Sequence, residues 1–158
     1  MAETKNWTIL EGGLDRDDVR ELLTYHFSEM RAGSPPDACH VLEVDRLADP
    51  SIRLFSLRDD SGDLLGVGAL QRIGEEHGEL KSMRTAPEAL GLGVGRAMLH
   101  ELMETARAMG LTRLSLETGN SALFDAANRL YTSAGFERCD PFGSYSATPF
   151  THFYTREI

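Results

Sequence analysis

Gly91, Gly93 and Gly95 alternate just ahead of a run, Arg96 to Met109, whose apolar residues recur at helical steps. The first turn of a helix leaves backbone N–H groups without partners, and the aligned peptide dipoles place about half a positive charge there. An anion is the natural guest of such an end. Glycines let a bulky phosphate approach the backbone and let the turn take up positive φ, and Arg96 adds a cation beside them. Three alternating glycines favour phosphate over a plain tight connection. Gly91-Leu92-Gly93-Val94-Gly95 superficially matches the start of a dinucleotide fingerprint, with Glu117 about 20 residues on. Two features exclude it: Arg96 stands where a small residue must pack helix on strand, and Thr85 to Leu90 intervene where a tight turn is needed. A Walker loop is excluded as well, since no Gly-Lys-Ser/Thr follows.

Leu90 to Gly95, together with Leu130-Tyr131-Thr132-Ser133-Ala134-Gly135-Phe136, resemble the two signatures of the GCN5-related N-acetyltransferases. That family transfers an acetyl group from acetyl-CoA to an amine, and the resemblance covers nearly the whole chain. The family's loop reads Gln/Arg-x-x-Gly-x-Gly/Ala before a long helix; its second signature is a helix ending Leu-Tyr-x-x-x-Gly-Phe. By resemblance, the backbone of Gly91, Leu92, Gly93, Val94 and Gly95, with Arg96, holds the pyrophosphate. Met83, Arg84 and Thr85 offer backbone groups to the pantetheine arm and the thioester carbonyl, while Phe124 and Ala127 face the cofactor. Leu90 departs from the family pattern, and loss of a charged hydrogen bond there costs up to about 1.5–3 kcal/mol, so CoA binding persists in weakened form. Phe124 departs too, standing where an asparagine is frequent, and neither Asn120 nor Asn128 is assigned in its place.

The resemblance gives Tyr131 the role of the acid that protonates the departing CoA thiolate. A phenol with pKa near ~10 stays protonated at neutral pH, and a thiolate near ~8.5 can use such a donor. The bland alternative is a core tyrosine packed on Leu130. Glu79, in the strand-like stretch His77 to Thr85, precedes Leu90 by the interval at which histone-acetylating members carry their base. An acceptor amine with pKa near ~10.4 must lose a proton before it attacks, and a partly buried carboxylate can take it directly or through water. A strand-edge glutamate paired with Lys81 or Arg84 is an equal alternative.

These groups need a frame. Trp7 to Leu10 reads as a strand, and Arg16 to Arg31 as a helix capped by Asp15 with Val19, Leu22, Leu23, Phe27 and Met30 inward. Ser34-Pro35-Pro36 ends it, and a short helix follows near Ala38 to Leu47. Ile52 to Leu57 and Leu64 to Leu70 form a hairpin, followed by the Glu79 strand. The glycine-loop helix ends at Gly110; then come a strand at Arg113 to Thr118, the tyrosine helix with Leu123, Ala127, Leu130 and Ala134 buried and Tyr131 at the stripe's edge, and strands near Glu137 to Asp140 and His152 to Glu157. This order is the family's: an α/β fold with a mixed, mostly antiparallel twisted sheet of about seven strands flanked by about four helices.

The family admits its acceptor amine beside the first inter-helix loop and the last strands, here Met30 to His40 and Phe142 to Phe150. Ser34-Pro35-Pro36 with His40, Gly78 to Thr85, and Pro141 to Tyr145 resemble segments of one bacterial branch, some of whose members carry a phytohormone-related label, which does not define a substrate. Met30, Ser34, His40, Phe142 and Tyr145 are the acceptor-side candidates; His40 alternatively caps or packs, and Phe142 and Tyr145 alternatively cover core. The expectation is an N-acetyltransferase working by direct attack of a primary amine, without a covalent acetyl-enzyme. A CoA-binding sensor or partner-binding protein that lost catalysis is the alternative, motivated by Leu90 and Phe124.

The 158 residues suit one domain with no linker or repeat, and the start lacks a signal core, pointing to the cytoplasm. A net charge of −9 argues against nucleic acid and permits a cationic amine. Cys39 and Cys139 lack partner spacing and read as free thiols, no histidine pattern suggests a metal, no membrane span is present, and a homodimer through exposed final strands is compatible with the fold.

Overall fold

The computed structural model describes residues 5–33 and 42–158. Ser34, Cys39, His40 and the first part of the expected second helix lie outside the described residues. Seven strands, β1 (Thr8–Glu11), β2 (Ile52–Arg58), β3 (Leu64–Arg72), β4 (His77–Thr85), β5 (Arg113–Gly119), β6 (Glu137–Cys139) and β7 (Thr151–Glu157), form one sheet in the order β1-β2-β3-β4-β5-β7-β6. Three α-helices accompany it among the described residues: α1 (Asp17–Ala32), α2 (Val94–Ala108) and α3 (Asp125–Ser133). Within the described part of the expected second helix, Val44–Ala48 forms a 3-10 turn. All strand pairs are antiparallel except β4 with β5.

Local chemistry fixes the ends of these elements. In the β2–β3 connection, Asp59 Oδ1 accepts from the backbone N–H of Ser61 (3.0 Å) and Asp63 (2.9 Å), an Asx turn. Two helices end in the same way. Leu111 N–H bonds Ala106 C=O and Gly110 bonds Arg107, while Phe136 bonds Tyr131 and Gly135 bonds Thr132. Both are Schellman closures, with Gly110 at φ 81° and Gly135 at φ 89°. The Leu-Tyr-x-x-x-Gly-Phe signature is therefore a helix stop: Gly135 supplies the left-handed residue and Phe136 folds back edge-on to Tyr131, ring centroids 5.9 Å apart. Asp15 does not cap α1; the N-cap is Arg16, without a side-chain cap bond.

The pleat sorts side chains between two faces. A Cβ on Gly66 would meet Val94 and one on Gly68 would meet Met98, so α2 lies against that face, burying Val94, Met98, Leu99, Leu102 and Ala106. Ser56 is opposite Val67 and approaches the start of α1, which lies on the other face and buries Val19, Leu22 and Leu23. Full burial of such a side chain stabilises by about 1.5–3 kcal/mol each.

One irregularity matters for everything that follows. Between Val67 and Ala69 the β3–β4 register slips, Arg84 facing Val67 and Lys81 facing Ala69, so β4 carries one extra residue there. Ser82 takes the strain at φ 52°, a β-bulge. The bulge places Glu79, Lys81 and Arg84 all on the α1 face despite their uneven spacing. Close by, β4 parts from β5: their register runs only through His77–Arg113, Gly78–Leu114 and Glu79–Ser115. From Lys81 onward the edge of β4 toward β5 has no strand partner among the described residues.

Candidate active site

Where β4 and β5 part, a cavity of about 130 Å³ opens. Glu79 reaches it from the α1 face. Tyr131 reaches it from the opposite face: its ring packs on Tyr154, whose register partner Leu116 points away from Glu117 and Ser115. Two candidate proton-handling groups from opposite sides of the sheet thus line one hole in it. Tyr131 is buried at the centre of its helix face, not at the edge, and Leu123 of the expected stripe is 44 % exposed. Burial holds the Tyr131 phenol well above its ordinary pKa, so it keeps its proton.

Glu79 is 6 % exposed, and each of its carboxylate oxygens has one partner. Tyr145 Oη donates to Glu79 Oε2 at 2.6 Å, and Lys81 Nζ lies 3.1 Å from Glu79 Oε1. Lys81 Nζ also donates to Tyr145 Oη at 3.3 Å. Of the two ion pairs open to Glu79, the one with Lys81 forms. Arg84 turns to α1, its Nε donating to His26 Nδ1 at 3.0 Å while the guanidinium lies over the Tyr25 ring. Burial first, then Arg84, holds the His26 pKa down at about 3, so the imidazole is neutral with its proton on Nε2.

Met30, Met83, Phe124, Ala127 and Tyr145 line the same cavity. Phe124 lies flat against Gly119, where any Cβ would collide with its ring. Asn128 spends its amide on the Gly119 carbonyl, and Asn120 binds the Pro149 carbonyl. Phe142 is not a wall residue; it packs on His77, Tyr145 and Phe153. The side chains of Arg84 and Thr85 and the whole stretch Gly91 to Arg96 also lie off this cavity. His26 was missed by the sequence reading, and Lys81 was named there only as a pairing partner of Glu79. His26 stands three and four residues from Leu23 and Leu22, on the inward stripe, and Lys81 two residues from Glu79 on the same strand face; both spacings were available signals.

The glycine loop forms a second locus. Gly91 and Gly93 sit at φ 80° and 92°, and Gly93 is the N-cap of α2 without any side-chain cap. The first-turn N–H groups of α2 are thus left to a guest. Nothing crowds a Cβ at Gly91, and Leu90 and Leu92 are exposed. Lys5 Nζ donates to the Leu92 carbonyl, with its ammonium 4.5 Å from the Trp7 ring centroid. Arg96 donates to Ser133 Oγ at 3.0 Å. The backbone donors and these two cations suit a phosphate. Among the described residues no three His, Cys, Asp or Glu side chains converge as metal ligands, and no helix is long and apolar enough to cross a membrane.

Comparison with known proteins points the same way. Residues 17–136 match the acetyltransferase (GNAT) family. The chain is 41% identical to the uncharacterized N-acetyltransferase YedL of Escherichia coli K12 over 147 residues, covering 93% of this chain and 92% of that one. It is 39% identical to the uncharacterized N-acetyltransferase YsnE of Bacillus subtilis 168 over 140 residues, covering 89% and 92%. A GNAT family acetyltransferase of Elizabethkingia anophelis with acetyl-CoA bound has a similar fold, with a TM-score of 0.73 at 18% identity over 98% of this chain and all of that one (100%).

Proposed function

Because the chain belongs to the GNAT acetyltransferase family, we propose that it moves an acetyl group from acetyl-CoA to a primary amine of a small molecule or peptide by direct attack on the thioester. The reading rests on one observation above the rest: Glu79 and Tyr131 enter a single cavity from opposite faces of the sheet, at the point where β4 leaves β5.

Acetyl-CoA lies with its pyrophosphate on the Gly91–Gly95 backbone, where the α2 dipole, Lys5 and Arg96 offset its charge. Its pantetheine arm runs along the unpaired edge of β4 from Lys81 to Thr85, whose free backbone groups bond the arm and polarise the thioester carbonyl. Glu79 takes a proton from the ammonium form of the acceptor, and the freed nitrogen lone pair attacks the carbonyl carbon. As the tetrahedral adduct collapses, the C–S bond breaks and Tyr131 gives its proton to the sulfur; the second proton of the nitrogen restores the Tyr131 phenol through solvent, and Glu79 releases the proton it took to water. The products are CoA and an N-acetyl amine. The acceptor approaches on the α1 face, past Met30 and Tyr145. The acceptor-side assignment of Ser34 and His40 rests on sequence alone.

The deciding experiment is calorimetry of acetyl-CoA on wild type and folded Gly93→Asp, followed by thiol release with a panel of primary amines. Binding lost in Gly93→Asp and turnover with at least one amine support the reading. Binding without turnover, with slow hydrolysis unchanged in Tyr131→Phe, would leave a CoA-binding protein without catalysis.

A further inference from the structure

The segment Pro141-Phe142-Gly143-Ser144-Tyr145 lies between β6 and β7 and brings one hydroxyl to Glu79. Its backbone closes a tight turn, Tyr145 N–H bonding Phe142 C=O at 3.2 Å, with Gly143 at φ 60°. The left-handed φ is cheap only for glycine. The turn sets the rings of Phe142 and Tyr145 edge-to-face at 5.3 Å, and both rest on Phe153 of β7 at 5.8 and 5.9 Å. Phe142 reaches further, to the ring of His77 at 5.9 Å. Four aromatic contacts therefore fix where the Tyr145 hydroxyl stands, and it stands 2.6 Å from Glu79 Oε2.

We propose that Tyr145 is a positioning residue for catalysis: its hydroxyl, with the Lys81 ammonium, locks the Glu79 carboxylate in the orientation that receives the proton of the acceptor amine. A lone glutamate on a strand can turn about its side-chain torsions and present either oxygen anywhere within reach. Here one oxygen is held by Tyr145 and the other by Lys81, and the two clamps touch each other at 3.3 Å. Each carboxylate oxygen has two lone-pair directions, so one direction on each stays open to an incoming N–H. Burial and the bond to Glu79 push the Tyr145 phenol far above its ordinary range, so it remains a donor wherever the protein is folded. Phe142, Gly143 and Tyr145 of the segment thereby acquire distinct tasks of packing, turning and bonding.

This inference rests on Glu79 being the base. The test uses Tyr145→Phe, which keeps every ring contact and removes only the hydroxyl. Rates are measured with acetyl-CoA and the fastest amine of the panel above, or by acetyl-CoA hydrolysis where water is the acceptor. Tyr145→Phe is expected to lower kcat about tenfold with the KM for acetyl-CoA unchanged, a fraction of what the whole base contributes. Glu79→Gln/Tyr145→Phe is expected to be no slower than Glu79→Gln alone, since the hydroxyl acts through the carboxylate. A wild-type kcat in Tyr145→Phe, or losses that simply multiply in the double variant, overturns the positioning role while leaving the base intact. A wild-type rate in Glu79→Gln removes the base reading itself and this inference with it.

Discussion

The glycine loop and the cavity at the β4–β5 split are the two ends of the proposed acetyl-CoA track, and they are built in opposite ways. The loop is a continuous stretch, exposed, that offers backbone N–H groups; its side chains matter mainly by being small. The cavity is assembled from α1, β4, β5, α3 and the β6–β7 connection, and it works through buried side chains that hold one another. On the proposed function, binding falls to local backbone and chemistry to long-range packing. The two ends should therefore fail separately.

The largest effect is expected at the cavity. Glu79→Gln should lower kcat by about 10²-fold or more while calorimetry finds acetyl-CoA affinity unaltered. A parallel loss of affinity would merge the two ends into one. Next comes Gly93→Asp, which sets a side chain in the left-handed region, at about 1–2 kcal/mol, and a negative charge at the α2 N-terminus. Affinity should fall at least about tenfold, while Tyr131→Phe, at the other end, keeps binding and loses rate. The third test uses acid. His26 is held neutral in the folded cavity with its pKa at about 3, below the unfolded value near ~6.5. The unfolded chain therefore binds the extra proton first, so stability is full above pH ~6.5 and falls as the pH drops below it. Urea unfolding from pH 7 to 5 should weaken wild type by roughly 1–2 kcal/mol more than His26→Gln, because the loop end carries no such group. The smallest effect is Lys5→Ala, expected to raise the acetyl-CoA Kd about threefold at low salt and less at high salt, as for an exposed charge.

The same division explains what could be read in the sequence. Strand limits such as His77–Thr85 and the α2 stripe followed from periodicity, and the glycine loop followed from three residues in a row of positions. Tyr131 was misplaced because the helical phase was counted from Leu123. That residue belongs to a 3-10 turn, Ala122–Phe124, and is exposed; Ala127, Leu130 and Ala134 face the core as expected, with Phe124 and Tyr131 buried beside them. His26 was passed over: the partner that makes its burial tolerable is Arg84, 58 residues away, and no local pattern encodes that pairing. Glu79 was singled out, yet its bond to Tyr145 spans 66 residues and no local pattern encodes it.

Three register pairs join β4 to β5, whereas seven join β5 to β7. In mechanical terms the sheet is two stiff leaves on a short seam. Amides near Glu79 and Ser115 should exchange with solvent through a partial opening that leaves the β2–β3 and β5–β7 pairings closed. A guest bonded along the free edge of β4 would act as a removable rivet across that seam, and would slow the exchange there more than anywhere else in the molecule.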